Sequence, residues 1–147
     1  MPTLFLDFIG TLVSAPSPID RRRDLFLEDD AIALSQSFPL VLVTGSPRAE
    51  VDEVLRLTGL DRKITFQEII ALEEGGNQKI TGAPFLPLLK KYDGPFVHVG
   101  DSDADEIGAG IAGIPCLRVR TMADEYAQRA ELKRCLQEAT ILFRGKG

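Results

Sequence analysis

The chain has no tryptophan, one histidine (His98) and two cysteines. It has no apolar run near the ~18 residues that would span a bilayer, and no excess of positive charge. Each absence excludes something. A net charge of -5 and a sequence pI of about 4.9 argue against a nucleic-acid partner, which asks for a basic face. The short run Arg21-Arg22-Arg23 is flanked by Asp20 and Asp24 and reads as a solvated loop, or as a rim contact for an anionic substrate. Cys116 and Cys135 lack the CxxC spacing of a zinc or redox site, so they read as reduced core residues. No membrane span is expected. The amino terminus enters a strand-like segment without a basic leader, which makes the cytoplasm the expected address.

What is present fits one domain. A chain of 147 residues, 44% hydrophobic and 27% charged, has a normal globular composition. Short apolar runs recur at Thr3–Phe8, Pro39–Val43, Pro95–Val99 and Pro115–Val119. Runs without strict alternation suit strands buried on both faces of a parallel sheet. Helices are expected between them. Ser46 followed by Pro47 reads as an N-cap and first helical residue, with the helix running to Thr58 and Gly59 ending it. Further helices are expected over Asp29–Phe38, Phe85–Tyr92 and Asp103–Ala112. A last one starts at the Thr121/Asp124 pair and runs to about Glu138. The expected fold class is α/β: a mostly parallel, Rossmann-like sheet with helices on both faces. The tail from Ala139 to Gly147 is left open between an extra strand, a subunit contact and a frayed end.

The strand ends carry the chemistry. Asp7 follows the first strand, then Gly10-Thr11. Thr44-Gly45-Ser46 follows the second. Gly100-Asp101-Ser102 follows the Pro95 strand, with Asp105 soon after. In a doubly wound sheet these positions share one edge, where ligands bind. Carboxylates held close together need a cation, and hard oxygen ligands suit magnesium. A helix start with a hydroxyl beside it suits a phosphate oxygen. Lys79 offers that phosphate a point charge.

These residues resemble a known family. Leu4-Phe5-Leu6-Asp7-Phe8-Ile9-Gly10-Thr11 looks like the first motif of the haloacid dehalogenase-like superfamily, D-x-D-G-T after apolar residues. Val41–Ser46 looks like the second motif. Lys79 stands where the third-motif lysine would, with Lys90 and Lys91 as competitors. Gly100-Asp101-Ser102-Asp103-Ala104-Asp105, trailed by Ala112-Gly113-Ile114, looks like the fourth. The resemblance implies that Asp7 is a nucleophile forming an aspartyl-phosphate. It implies that Asp7, Asp101 and the backbone carbonyl of Ile9 hold Mg2+. Asp105 would be a further ligand or a partner behind the ligands. Thr44, Gly45, Ser46 and Lys79 would bind the phosphoryl group. The substrate would be a small phosphorylated molecule or a phosphorylated macromolecule.

Two departures follow. Ile9 stands where the family's phosphatases carry a second aspartate, which protonates the leaving group and then activates water. General acid–base help is worth typically 10²–10⁴-fold. The segments Thr11–Leu40 and Ser46–Lys79 leave room for a flap, helices and a short strand but for no cap domain. Residues 12–38 are read as flap and helix, and 120–147 as C-terminal helix and tail. Capless members often cover their sites by forming a homo-oligomer or accept large substrates.

Rival readings remain. Gly108-x-Gly110-x-x-Gly113 matches a dinucleotide fingerprint but lies too far from a strand end, and reads as small residues where a helix packs on the sheet. A phosphorylated receiver domain would need an acidic pair after its first strand. A non-catalytic phosphate- or metal-binding module, or an interaction protein, is favoured by Ile9. His98 reads as structural, with a substitute proton donor as its alternative.

Overall fold

A computed structural model describes residues 1–19 and 22–146. Asp20, Arg21 and Gly147 lie outside the described residues; within the basic run, Arg23 is not solvated as expected but pairs with Glu50 at 3.1 Å and donates to Ser14 O. Five strands form one parallel sheet: β1 (Thr3–Leu6), β2 (Leu40–Val43), β3 (Glu68–Ile70), β4 (Phe96–Gly100) and β5 (Cys116–Arg118). Their order is β3-β2-β1-β4-β5. Both neighbours of β1 run parallel to it, with Leu6 opposite Leu42 on one side and Val99 on the other. The expected α/β class is the observed one.

Alternation along the central strand assigns the two faces. Leu4 and Leu6 point into a core shared with α1 (Asp29–Ser35), α2 (Arg48–Thr58) and α5 (Glu125–Lys146). Phe5 points the other way, into a core closed by α3 (Phe85–Lys91) and α4 (Asp103–Ile111). The chain therefore runs outward from β1 on one face towards β2 and β3, and on the other towards β4 and β5. The divergence point lies between β1 and β4, where doubly wound sheets open a crevice at their carboxyl ends.

Some boundaries differ from expectation. The α2 helix begins at Arg48 with Pro47 as its cap, one residue later than the Ser46 cap predicts. Ser46 is otherwise engaged: its N–H donates to Thr44 Oγ1, and its carbonyl accepts from Leu72 N. The Arg48 N–H is satisfied by Glu73 Oε1 at 2.9 Å. The last helix is capped by Asp124, whose Oδ1 accepts from Ala127 N. It does not stop near Glu138 but continues through the tail to Lys146. Leu132, Cys135, Leu136, Ala139 and Phe143 recur at helical spacing and are all buried. Phe143 meets Phe38 with ring centroids 4.7 Å apart. Of the fates left open for the tail, the extra strand is not the observed one: the segment is helical to Lys146.

Candidate active site at the β1 and β4 strand ends

Asp7 stands immediately beyond β1, its N–H bonded to Val99 O of β4. Asp101 stands immediately beyond β4. The two loops are brought into contact by Gly10, whose φ of +86° is a left-handed conformation open to glycine. A Cβ at Gly10 would lie 2.2 Å from Asp101 Oδ2. Thr11 Oγ1 then lies between the carboxylates, 3.2 Å from Asp101 Oδ1 and 3.5 Å from Asp7 Oδ2. Arg118 Nε donates to Asp101 O at 2.9 Å and ties this loop to β5.

Asp105 is presented by the first turn of α4. Ser102 caps that helix by accepting from Asp105 N, while Asp105 Oδ2 takes the N–H and hydroxyl of Ser102. The other oxygen, Oδ1, takes Lys79 Nζ at 2.8 Å and His98 Nε2 at 2.7 Å. A carboxylate has about four acceptor positions, and here four protein donors occupy them.

Lys79 arrives from a 3₁₀ segment, Gly76–Thr81. That segment lies against α4, and Gly108 permits the approach: a Cβ there would sit 1.7 Å from Lys79 O. In the Gly108-Gly113 run, Gly108 thus serves the contact with this segment, while Ala109 is buried in the core with Phe5, Val41 and Val43 of the sheet. Lys79 Nζ also reaches Asp7 Oδ1 at 2.8 Å. The three side chains are nearly enclosed, with Asp7 7%, Lys79 6% and Asp105 0% exposed.

Electrostatics follows from one cation shared by two carboxylates. Burial would raise the Asp105 carboxyl, but the His98 hydrogen bond and the Lys79 charge hold it well below the usual range. Burial would lower Lys79, but the charges of Asp7 and then Asp105 hold its ammonium above its ordinary value. Lys79 cannot fully balance both acids. The excess negative charge falls on Asp7, whose carboxyl is raised well above its ordinary value by burial, against the pull of Lys79 and with a further push from Asp105. Burial also lowers the His98 imidazole below its ordinary value.

Asp7, Asp101 and Asp105 each offer an oxygen, and these atoms lie within 4.8 Å of one another. With Lys79 among them the formal charge is -2 (three carboxylates, one ammonium). With Asp105 already filled by its neighbours, a hard divalent cation fits the oxygens of Asp7 and Asp101 and this charge.

The other anticipated residues lie around the cluster. Thr44 is buried beyond β2, with its hydroxyl oxygen accepting from Ser46 N. Gly45 follows, and a Cβ there would meet Asn77 in the segment that carries Lys79. Ile9 is half-buried and packs its side chain against the core on the α1, α2 and α5 face. His98 is fully enclosed against Asp105, which places it away from solvent. Arg118 and Ser102 were not singled out as site residues by the sequence. Ser102 was visible as the last residue of Gly-Asp-Ser, whereas Arg118 carries no local signal.

No protein-family model matches the chain, and no curated protein sequence matches it. Its fold is similar to that of a crystal structure described as a HAD-superfamily hydrolase, subfamily IA, variant 1, from Geobacter sulfurreducens PCA. The TM-score is 0.63 at 17% identity, over 85% of this chain and 96% of that one. The chain thus has the fold of a haloacid dehalogenase-superfamily hydrolase, with its acidic cluster at the strand ends where β1 and β4 part.

Proposed function

We propose that this protein is a Mg2+-dependent phosphohydrolase acting through an aspartyl-phosphate at Asp7. The observation that supports it most is the meeting of Asp7, Asp101 and Lys79 at the ends of β1 and β4. Asp7 and Asp101 would hold the cation, with the backbone carbonyl of Ile9. Asp105, filled by four donors, acts behind them as the anchor of Lys79. The bound cation supplies positive charge that offsets the crowded carboxylates and the phosphoryl oxygens.

In this reading Thr44, Gly45, Ser46 and Lys79 orient the phosphoryl group. An Asp7 oxygen attacks phosphorus, the ester P–O bond breaks, and the leaving oxygen departs with its electron pair. Water then attacks phosphorus, the bond to Asp7 breaks, and the water proton passes to a phosphate oxygen. Ile9 can neither protonate the leaving group nor activate the water. Substrates are therefore phosphate esters or anhydrides whose leaving groups are stable as anions, on a small molecule or a macromolecule. In this reading a second copy of the chain covers the site in a homo-oligomer.

Ile9 also favours a second reading, a non-catalytic phosphate- or metal-binding or interaction protein. Turnover separates the two. Mg2+-dependent hydrolysis of an aryl phosphate should be measured against Asp7→Asn. Turnover that vanishes in the variant supports the hydrolase. A folded wild-type protein with no turnover above that blank supports the second reading.

A further inference from the structure

His98 is the chain's one histidine, and phosphoryl transfer as described leaves it without a task. It sits in the middle of β4 between Val97 and Val99, where an aliphatic side chain would fill the space at no polar cost. A buried polar ring is costly unless bonded. The ring lies edge-on to Phe85, centroids 5.0 Å apart, and is wholly enclosed. Its Nε2 is 2.7 Å from Asp105 Oδ1, while Nδ1 has no hydrogen-bond partner among the described residues. The oxygen it touches is the one that receives Lys79 Nζ.

Proton placement follows from geometry. Asp105 already accepts from Lys79 and Ser102 and is an anion. A bare Nε2 would set a lone pair against that anion at 2.7 Å. The proton therefore belongs on Nε2. Two donors on one oxygen, with Ser102 fixing the other, leave the carboxylate no freedom to rotate. The place of Lys79 between Asp105 and Asp7 is then determined.

We infer that His98 is a positioning residue: as the Nε2–H form it locks Asp105, and through Asp105 it holds Lys79 on Asp7. Its effect on turnover rests on the proposed hydrolase reading. Its effect on Lys79 does not.

A single histidine makes the test direct. In a long-range proton–nitrogen NMR spectrum, the ring should show a protonated Nε2 and a bare Nδ1; the reverse pattern overturns the inference. The ammonium signal of Lys79, assigned by its loss in Lys79→Met, should be sharp and protected in the wild type. It should broaden or vanish in His98→Leu and return in His98→Gln, whose amide can donate to Asp105. With an aryl phosphate, His98→Leu should lower kcat by about 10²-fold, the scale of a displaced catalytic group, with KM and Mg2+ affinity unchanged, and His98→Gln should restore much of it. An unaltered Lys79 signal in folded His98→Leu overturns the inference. If His98→Leu does not fold, the wild-type tautomer and His98→Gln still decide it. If the wild type shows no turnover, the hydrolase reading fails while the two NMR readouts still decide the role of His98.

Discussion

Lys79 Nζ lies 2.8 Å from Asp7 Oδ1, although the two residues are 72 positions apart in the chain. One side chain comes from a 3₁₀ segment and the other from the end of β1. The contact exists because α4 and that segment close together at Gly108, which aims Lys79 back across the sheet edge.

Removing that cation leaves two buried carboxylates without a counter-charge. Lys79→Met is expected to lose about 3–5 kcal/mol, the usual cost of breaking a buried pair from one side. Added MgCl2 should recover part of the loss by supplying charge to the same cluster. Urea unfolding with and without MgCl2 measures both. A variant as stable as the parent in metal-free buffer would show that Lys79 does not hold the cluster together.

Divalent cation binding should stabilise the wild-type fold through Asp101. A ligand at about 100 times its Kd adds roughly 2.7 kcal/mol if only the native state binds it. Thermal melts across a Mg2+ titration should rise accordingly, and Asp101→Asn should abolish the rise. An equal rise in both proteins would place the cation elsewhere.

Ile9→Asp restores a carboxyl at the position that the proposed chemistry lacks. Turnover of an alkyl phosphate, a poor leaving group, should rise about 10²–10⁴-fold, the range of general acid–base catalysis. Aryl phosphate turnover should change far less. Because Ile9 packs on the core, the variant should also lose about 1 kcal/mol, a common size for a single substitution. Identical gains for both substrates would mean that the missing proton donor was not the limitation.

Glu131, buried on α5, ties the loop after β5 to the helix. Hydrogen bonds from Arg134, and then from Arg120, overcome its burial and lower its carboxyl to about 2, against an ordinary 4.5. A lowered folded-state value means the stabilisation is complete above pH 4.5 and is lost as pH falls towards 2. Allowing for water around the two guanidiniums, the contribution is about 2 kcal/mol. Glu131→Gln should show that loss at neutral pH in urea unfolding, and the gap to wild type should close as acid is added. A gap that stays constant down to pH 2 would mean that the carboxylate charge is not what stabilises the loop.

The strands and the acidic loop ends were legible because their signals are local. A short apolar run reports a buried parallel strand, and the residues just after it stand at the sheet edge whatever the rest of the chain does. Asp7, Thr44, Asp101 and Asp105 were found this way. The tail was misread because its apolar residues recur at helical spacing from Leu132 to Phe143, across the point chosen as the helix end. Ser46 was misread as a cap because its backbone is claimed by Leu72 and Thr44, which no local pattern announces.

The sequence by itself determined the α/β alternation, the carboxylates at the strand ends and the isoleucine in place of an aspartate. These depend on residue type and short-range spacing. Only the tertiary structure decided that Lys79 is shared between Asp7 and Asp105, that Asp105 is filled by its own neighbours, and that His98 is buried against it. Those facts depend on which side chains meet across the sheet edge. That meeting is governed by the packing of α4 against the Gly76–Thr81 segment, a long-range contact that spacing along the chain does not encode.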